Sequence, residues 1–260
     1  MAVLLLIMLM LGAIVSNTIR ATNVSKQQMD ATQQARTALD ALHDDLDHIV
    51  HQGGLATVFA KNDGGHTTLA LITRRRGALT MDDQRFLAVT YTLSGSHTLT
   101  RAIAPVAWSE TEPELKIGGQ TPDTQTDTLA EGVLGFAAVV QLDNGETRPL
   151  TADGLWLSST WNGAPLTENF RALLLAGATA DPGQPKVCAL TVAVATVNTV
   201  TLRMGNTAGM GAALPAVPVS STAATPQELW QEAVDNGGFA SFPRPAVNTL
   251  KFLQRTYSLP

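Results

Sequence analysis

The hydrophobic pattern divides the chain near residue 50. Residues 1–15 are apolar throughout and carry no charge. From Ser16 onward polar residues enter, yet the apolar positions keep a helical spacing: Ala35, Leu39, Leu42, Leu46 and Ile49 lie four, three, four and three residues apart, which is one stripe of a helix. Arg36, Asp40, Asp44 and Asp47 fall on the opposite face. Glutamine and alanine between residues 27 and 35 favour continuation, and Gly53-Gly54 is the first stop signal. The spacing predicts one helix over residues 1–50, about 75 Å long at about 1.5 Å per residue.

Beyond the glycine pair the period changes to two. Residues 68–73, 86–93 and 97–103 read as strands, the last two joined through the hairpin signal Ser94-Gly95-Ser96. Residues 109–128 are polar and rich in proline and glycine, the composition of a surface loop. A strand over 133–142 runs into the turn signal Asp143-Asn144-Gly145. Leu155-Trp156-Leu157 and Trp161 follow, then an ambiguous apolar piece at 170–177. Residues 187–204 read as one bent strand or a hairpin, and 205–224 as a linker-like loop. Thr225, Pro226 and Glu228 form a helix-start signature for residues 225–234. The tail, 246–259, fits a strand or a short helix, with strand favoured for its centre.

Composition agrees with a β-rich, weakly charged body: only 15% of residues are charged, and 45% are hydrophobic. A net charge of -5 gives no general attraction to phosphate backbones, so nucleic acid is not an expected partner. The one basic run, Arg74-Arg75-Arg76, reads as a solvated turn after a strand. A single cysteine, Cys188, excludes a disulfide framework and reads as a buried small hydrophobe.

The apolar start admits three readings. A signal peptide needs a basic region ahead of the apolar run, and the first basic residue is Arg20. A core helix apolar all round is unusual at a chain terminus. The reading carried forward is a membrane helix, lined by Leu4, Leu5, Leu6, Ile7, Leu9 and Leu11, whose beginning lies upstream of Met1. Fifteen residues reach about 22 Å, short of the roughly 30 Å hydrocarbon core.

Candidate chemistry is sparse. His48 and His51 stand one helical turn apart and Asp44 four residues before His48, so two imidazoles and a carboxylate could face one ion, with His43 nearby. The ligand set is incomplete, and decoration of an exposed helix face explains the same residues. No nucleophile elbow, phosphate-cradling glycine pattern or paired cysteines occur. No catalytic residue, cofactor or small-molecule substrate is expected. Trp108, Trp156, Trp161 and Trp230 read as packing residues.

The first fifty residues resemble the N-terminal helix of type IV pilin-like proteins with its leading residues removed. Gln34-Ala35-Arg36-Thr37-Ala38-Leu39, Leu42-His43-Asp44-Asp45-Leu46, Arg85-Phe86-Leu87-Ala88-Val89-Thr90-Tyr91, Leu99-Thr100-Arg101 and Leu129-Ala130-Glu131-Gly132-Val133 resemble the minor pseudopilin J group of type II secretion. The ending, Leu229-Trp230-Gln231-Glu232-Ala233-Val234-Asp235-Asn236-Gly237-Gly238-Phe239 and Phe252-Leu253-Gln254-Arg255-Thr256-Tyr257, is similar to the Verru_Chthon cassette C proteins. The family's cleavage site and glutamate have no matching position here.

The resemblance implies an α+β protein: a long N-terminal helix, partly transmembrane, packed on an antiparallel β-rich pseudopilin-like head. Residues 1–29 would be the membrane-embedded and emerging helix, and residues 30–260 the periplasmic head, including the amphipathic half of the helix to residue 50. Its stripe Ala35, Leu39, Leu42, Leu46 and Ile49 would pack on the head. The implied partners are other pilin-like subunits and the cytoplasmic membrane, and the implied work is assembly. Two rivals are a membrane-anchored periplasmic binding domain that never polymerises and an envelope enzyme built on the histidine cluster.

Overall fold

The computed structural model describes residues 2–49, 58–63, 66–76, 84–105, 125–142, 145, 147–149, 155–157, 187–199, 202, 209–215 and 225–259. Helix α1, Ala2–Asp47, is continuous over 46 residues. Its predicted stop at Gly53-Gly54 lies outside the described residues; the helix ends earlier, where the sheet captures it. The N–H groups of His48 and Ile49 fold back to the carbonyls of Asp45 and Leu46, each at 3.2 Å. Arg74 then donates its N–H to the His48 carbonyl at 2.9 Å, and Ile49 bridges to Thr73. A strand N–H thus satisfies a carbonyl at the helix end, the role that the backbone N–H groups of a glycine cap would otherwise fill.

Among the described residues, ten strands form two antiparallel sheets. The first contains β1 (Val58–Asp63), β2 (His66–Arg76), β3 (Gln84–Leu93), β4 (Thr98–Pro105), β5 (Gln125–Glu131) and β8 (Leu155–Leu157), in the order β5-β4-β3-β2-β1-β8. The second contains β6 (Val133–Leu142), β7 (Thr147–Pro149), β9 (Val187–Thr196) and β10 (Lys251–Ser258), in the order β10-β9-β6-β7. The hairpin between β3 and β4 closes with Ser94 donating to Thr98 at 3.0 Å, and the two strands pair from Leu93 with Leu99 to Leu87 with Pro105. Gly145, at φ +84, takes the turn after β6.

The main core gathers one face of each sheet and the buried side of α1. Tyr91, Phe136, Leu42, Leu69, Leu71, Leu99 and Leu190 are its largest fully buried members. Strands β6 and β9 are buried on both faces. Phe136, Ala138, Val140, Leu190, Val192 and Val194 point to this core, whereas Ala137, Ala193 and Ala195 point to a second one. That second core lies under α2 (Pro226–Asp235) and α3 (Arg244–Thr249). The start of α2 has a full capping box, Thr225 accepting from the Glu228 N–H and Glu228 from the Thr225 N–H. Trp230 lies across Gly135, where a Cβ would come within 3.3 Å of its ring, and its indole N–H donates to the Pro215 carbonyl at 3.3 Å.

Four expectations are corrected. The surface loop expected to Thr128 ends before Gln125, because residues 125–128 pair with β4 as the first half of β5; residues 109–124 lie outside the described residues. The basic run is not a turn: Arg74, Arg75 and Arg76 continue β2 and pair with Phe86, Arg85 and Gln84. Part of the expected linker packs, since Met210 is fully buried in the second core beside Leu134. The tail holds both alternatives in succession, α3 and then β10. In addition, the described residues end β9 at Thr196, and Cys188 is half-buried, with its thiol donating to the Gln141 carbonyl at 3.3 Å. Asp143, Trp108, Trp161 and residues 170–177 lie outside the described residues.

Candidate functional site

Helix α1 changes character halfway along. From Ala31 onward it lies on the head with Ala31, Ala35, Ala38, Leu39, Leu42, Leu46 and Ile49 all buried, which includes every residue of the expected stripe. Below that point it projects. Met8, Met10, Leu11, Ile14, Val15 and Ile19 are each more than half exposed, although all are large and apolar. The side chains of Leu4, Leu5, Leu6, Ile7 and Leu9 lie outside the described side chains. Among the described residues, no helix carries an apolar stretch long enough to cross a membrane.

Polar contacts accompany the docked half. Small alanines let the strands approach closely, so the Thr196 hydroxyl reaches the Ala31 carbonyl at 3.0 Å and the Tyr257 hydroxyl the Leu39 carbonyl at 2.8 Å. Gln28 donates to the Asn248 carbonyl at 2.9 Å, and Gln34 accepts from the Glu131 N–H at 2.6 Å. Arg255 pairs with Asp40 at 2.8 Å, both well exposed.

The strongest contact is one the sequence reading missed. Asp45 stands three residues after Leu42 and four before Ile49, inside the apolar stripe, and is only 1% exposed. Its carboxylate accepts from Arg101 on β4 through Nε at 2.7 Å and Nη2 at 2.5 Å, and from the Tyr91 hydroxyl on β3. This is a bidentate, charge-assisted pair with a third donor completing it. Asp127 lies 3.9 Å from Arg101 Nη1 on the solvent side. The available signal was the spacing: Ala38, Leu42, Asp45 and Ile49 follow intervals of four, three and four, so a carboxylate occupies a core position.

Burial, the negative charge of Asp45 and the hydrogen bond to it all push the Tyr91 hydroxyl far above its ordinary titration range. Burial likewise pushes Tyr257 up to about 12. These are the chain's two tyrosines. Both keep their protons in the folded state at a pH where the unfolded chain, with tyrosines near 10, loses them. Their stabilisation is therefore complete below about pH 10 and declines as pH rises through the folded values, each tyrosine adding a slope of about 1.4 kcal/mol per pH unit. An alkaline titration followed by phenolate absorbance should show no signal near pH 10, then both tyrosines ionising together with unfolding. A native protein titrating one tyrosine near 10 would show that hydroxyl to be solvated.

The expected metal ligands do not converge. His43 faces Asp47 at 3.6 Å, and His48 faces Asp44, its ring nitrogen also 2.7 Å from the Asp44 carbonyl oxygen. These are two separate turn-to-turn pairs on the exposed face, and the His43 ring stacks on Tyr257. His51 lies outside the described residues. Among the described residues no three histidine, cysteine or carboxylate side chains are grouped to hold an ion.

Fold and joint together define an α+β protein, a long helix half laid on two antiparallel sheets and half projecting. No protein-family model matches the chain, and no curated protein does. Among solved structures it is similar to a type IV-like pilin from Thermus thermophilus, with a TM-score of 0.41 and 12% identity over 88% of this chain and 95% of that one.

Proposed function

We propose that this chain is a pilin-like structural subunit, of the minor pseudopilin kind, that works by assembly rather than catalysis. The observation that carries the reading is the projecting half of α1, where Met8, Leu11, Ile14, Val15 and Ile19 are displayed around a helix that the head leaves uncovered. Apolar surface of that extent is stable only against lipid or other apolar surface. In this reading the projecting half sits in the cytoplasmic membrane or among neighbouring helices, and the head stands in the periplasm as part of a type II secretion or pilus-like apparatus.

The test uses full-length chain in lipid vesicles, with Cys188→Ser and a single new cysteine at Ile14 or at Asp44. An assembling subunit gives Ile14→Cys dimers in excess of the Asp44→Cys control. A membrane-anchored domain that does not assemble gives equal, collision-level yields at both positions. A monomer that stays in solution when vesicles are added overturns the reading altogether.

A further inference from the structure

From the joint between α1 and the head, we infer that Asp45, Tyr91 and Arg101 form a register key, which selects the axial position of α1 on the sheets. The other buried side-chain hydrogen bonds to the docked helix say little about position. Thr196 and Tyr257 donate to the main-chain carbonyls of Ala31 and Leu39, and such carbonyls recur at every residue. The apolar stripe also repeats. A slide of one turn, four residues and about 6 Å, sets Ala31 against Ala35, Ala38 against Leu42 and Leu42 against Leu46, so much of the interface stays apolar, although His43 takes the place of Leu39 in one direction and Gln34 that of Ala38 in the other. The exposed pair at Arg255 tolerates the slide in one direction, because Asp44 then replaces Asp40.

Asp45 behaves differently. The same slide brings Ala41 or Ile49 opposite Arg101 and leaves the Tyr91 hydroxyl, on a residue 1% exposed, without an acceptor. Arg101, whose side chain is 11% exposed, would keep only the distant Asp127. Selection of one register by a buried polar group follows from this asymmetry, since unpaired buried polar groups penalise every alternative. The register in turn determines how far the apolar half projects beyond the head.

The experiment replaces the key by apolar residues of similar size, Asp45→Leu with Tyr91→Phe and Arg101→Met, in full-length chain carrying Cys188→Ala. Engineered disulfides report the register. Gln34→Cys with Glu131→Cys reads the native position, where these residues touch. Asp30→Cys or Ala38→Cys with Glu131→Cys reads a slide of one turn in either direction. With the key intact only the native pair should close. In the apolar triple variant a slid pair should close in at least a tenth of the molecules, with a melting temperature at or above that of the parent. Closure of the native pair alone in the triple variant overturns the inference. So does loss of a cooperative melt, because the key would then be needed to fold rather than to select. The milder pair Asp45→Asn with Arg101→Gln, read by the same disulfides, must also admit a slid pair. Each readout is internal to one chain and is independent of assembly.

Discussion

Asp45→Ala is expected to cost about 3–5 kcal/mol of stability, the range for removing one partner of a buried ion pair. The cost is not the attraction between Asp45 and Arg101, most of which offsets the desolvation of both groups. It comes from what the substitution leaves behind. The Arg101 guanidinium, with its side chain 11% exposed, keeps its charge, and Tyr91 keeps a buried hydroxyl with no carboxylate to accept it. Burial alone would lower the proton affinity of Arg101, but the hydrogen bonds and charge of Asp45 outweigh it and hold the group up. Without Asp45 the burial penalty is opposed only by the distant Asp127. Urea unfolding of the parent and the variant measures the difference. A loss below about 1 kcal/mol would mean that water enters the joint and the pair behaves as a surface bridge.

Gly132→Ala is expected to cost about 2–5 kcal/mol, from two sources at one residue. Gly132 joins β5 to β6 at φ +75, a conformation that a Cβ disfavours by about 1–2 kcal/mol. The added Cβ would also overlap the backbone carbonyl oxygen of Val197. Val197 cannot simply withdraw, because its N–H donates to the Gly132 carbonyl at 2.8 Å, and breaking that buried bond adds about 1–3 kcal/mol. Gly132→Asn separates the sources: asparagine tolerates the positive φ yet carries the same Cβ, so it should be nearly as costly as alanine. If asparagine were close to neutral, the turn conformation and not the close approach would be the constraint.

Much of this architecture was legible residue by residue. The intervals among Ala35, Leu39, Leu42, Leu46 and Ile49 depend only on the pitch of a helix, and all five are buried. The capping signature at Thr225, Pro226 and Glu228 is likewise local, and α2 begins there. The loop boundary failed for the opposite reason. Gln125, Thr126, Asp127 and Thr128 have no apolar alternation, and they are a strand only because β4 offers its edge to them. Arg74 to Arg76 failed in the same way, since charge suggested a turn while the pairing with β3 continued to Gln84. Met210 sits in a glycine-rich and alanine-rich stretch that carries no pattern, and only the hollow beside Leu134 and Trp230 draws it in.

By itself, the sequence determined the long helix, its two-part character, most of the strands and the stripe that meets the head, because each rests on contacts a few residues apart. Only the tertiary structure decided the order of strands in the two sheets, the end of α1 on the backbone of β2, and the role of Asp45. Its spacing in the stripe was visible, but a carboxylate there is tolerable only when a guanidinium 56 residues away and a hydroxyl 46 residues away arrive at the same point. Periodicity records which side of a helix faces inward; the partner that makes a buried charge stable is a property of the folded chain.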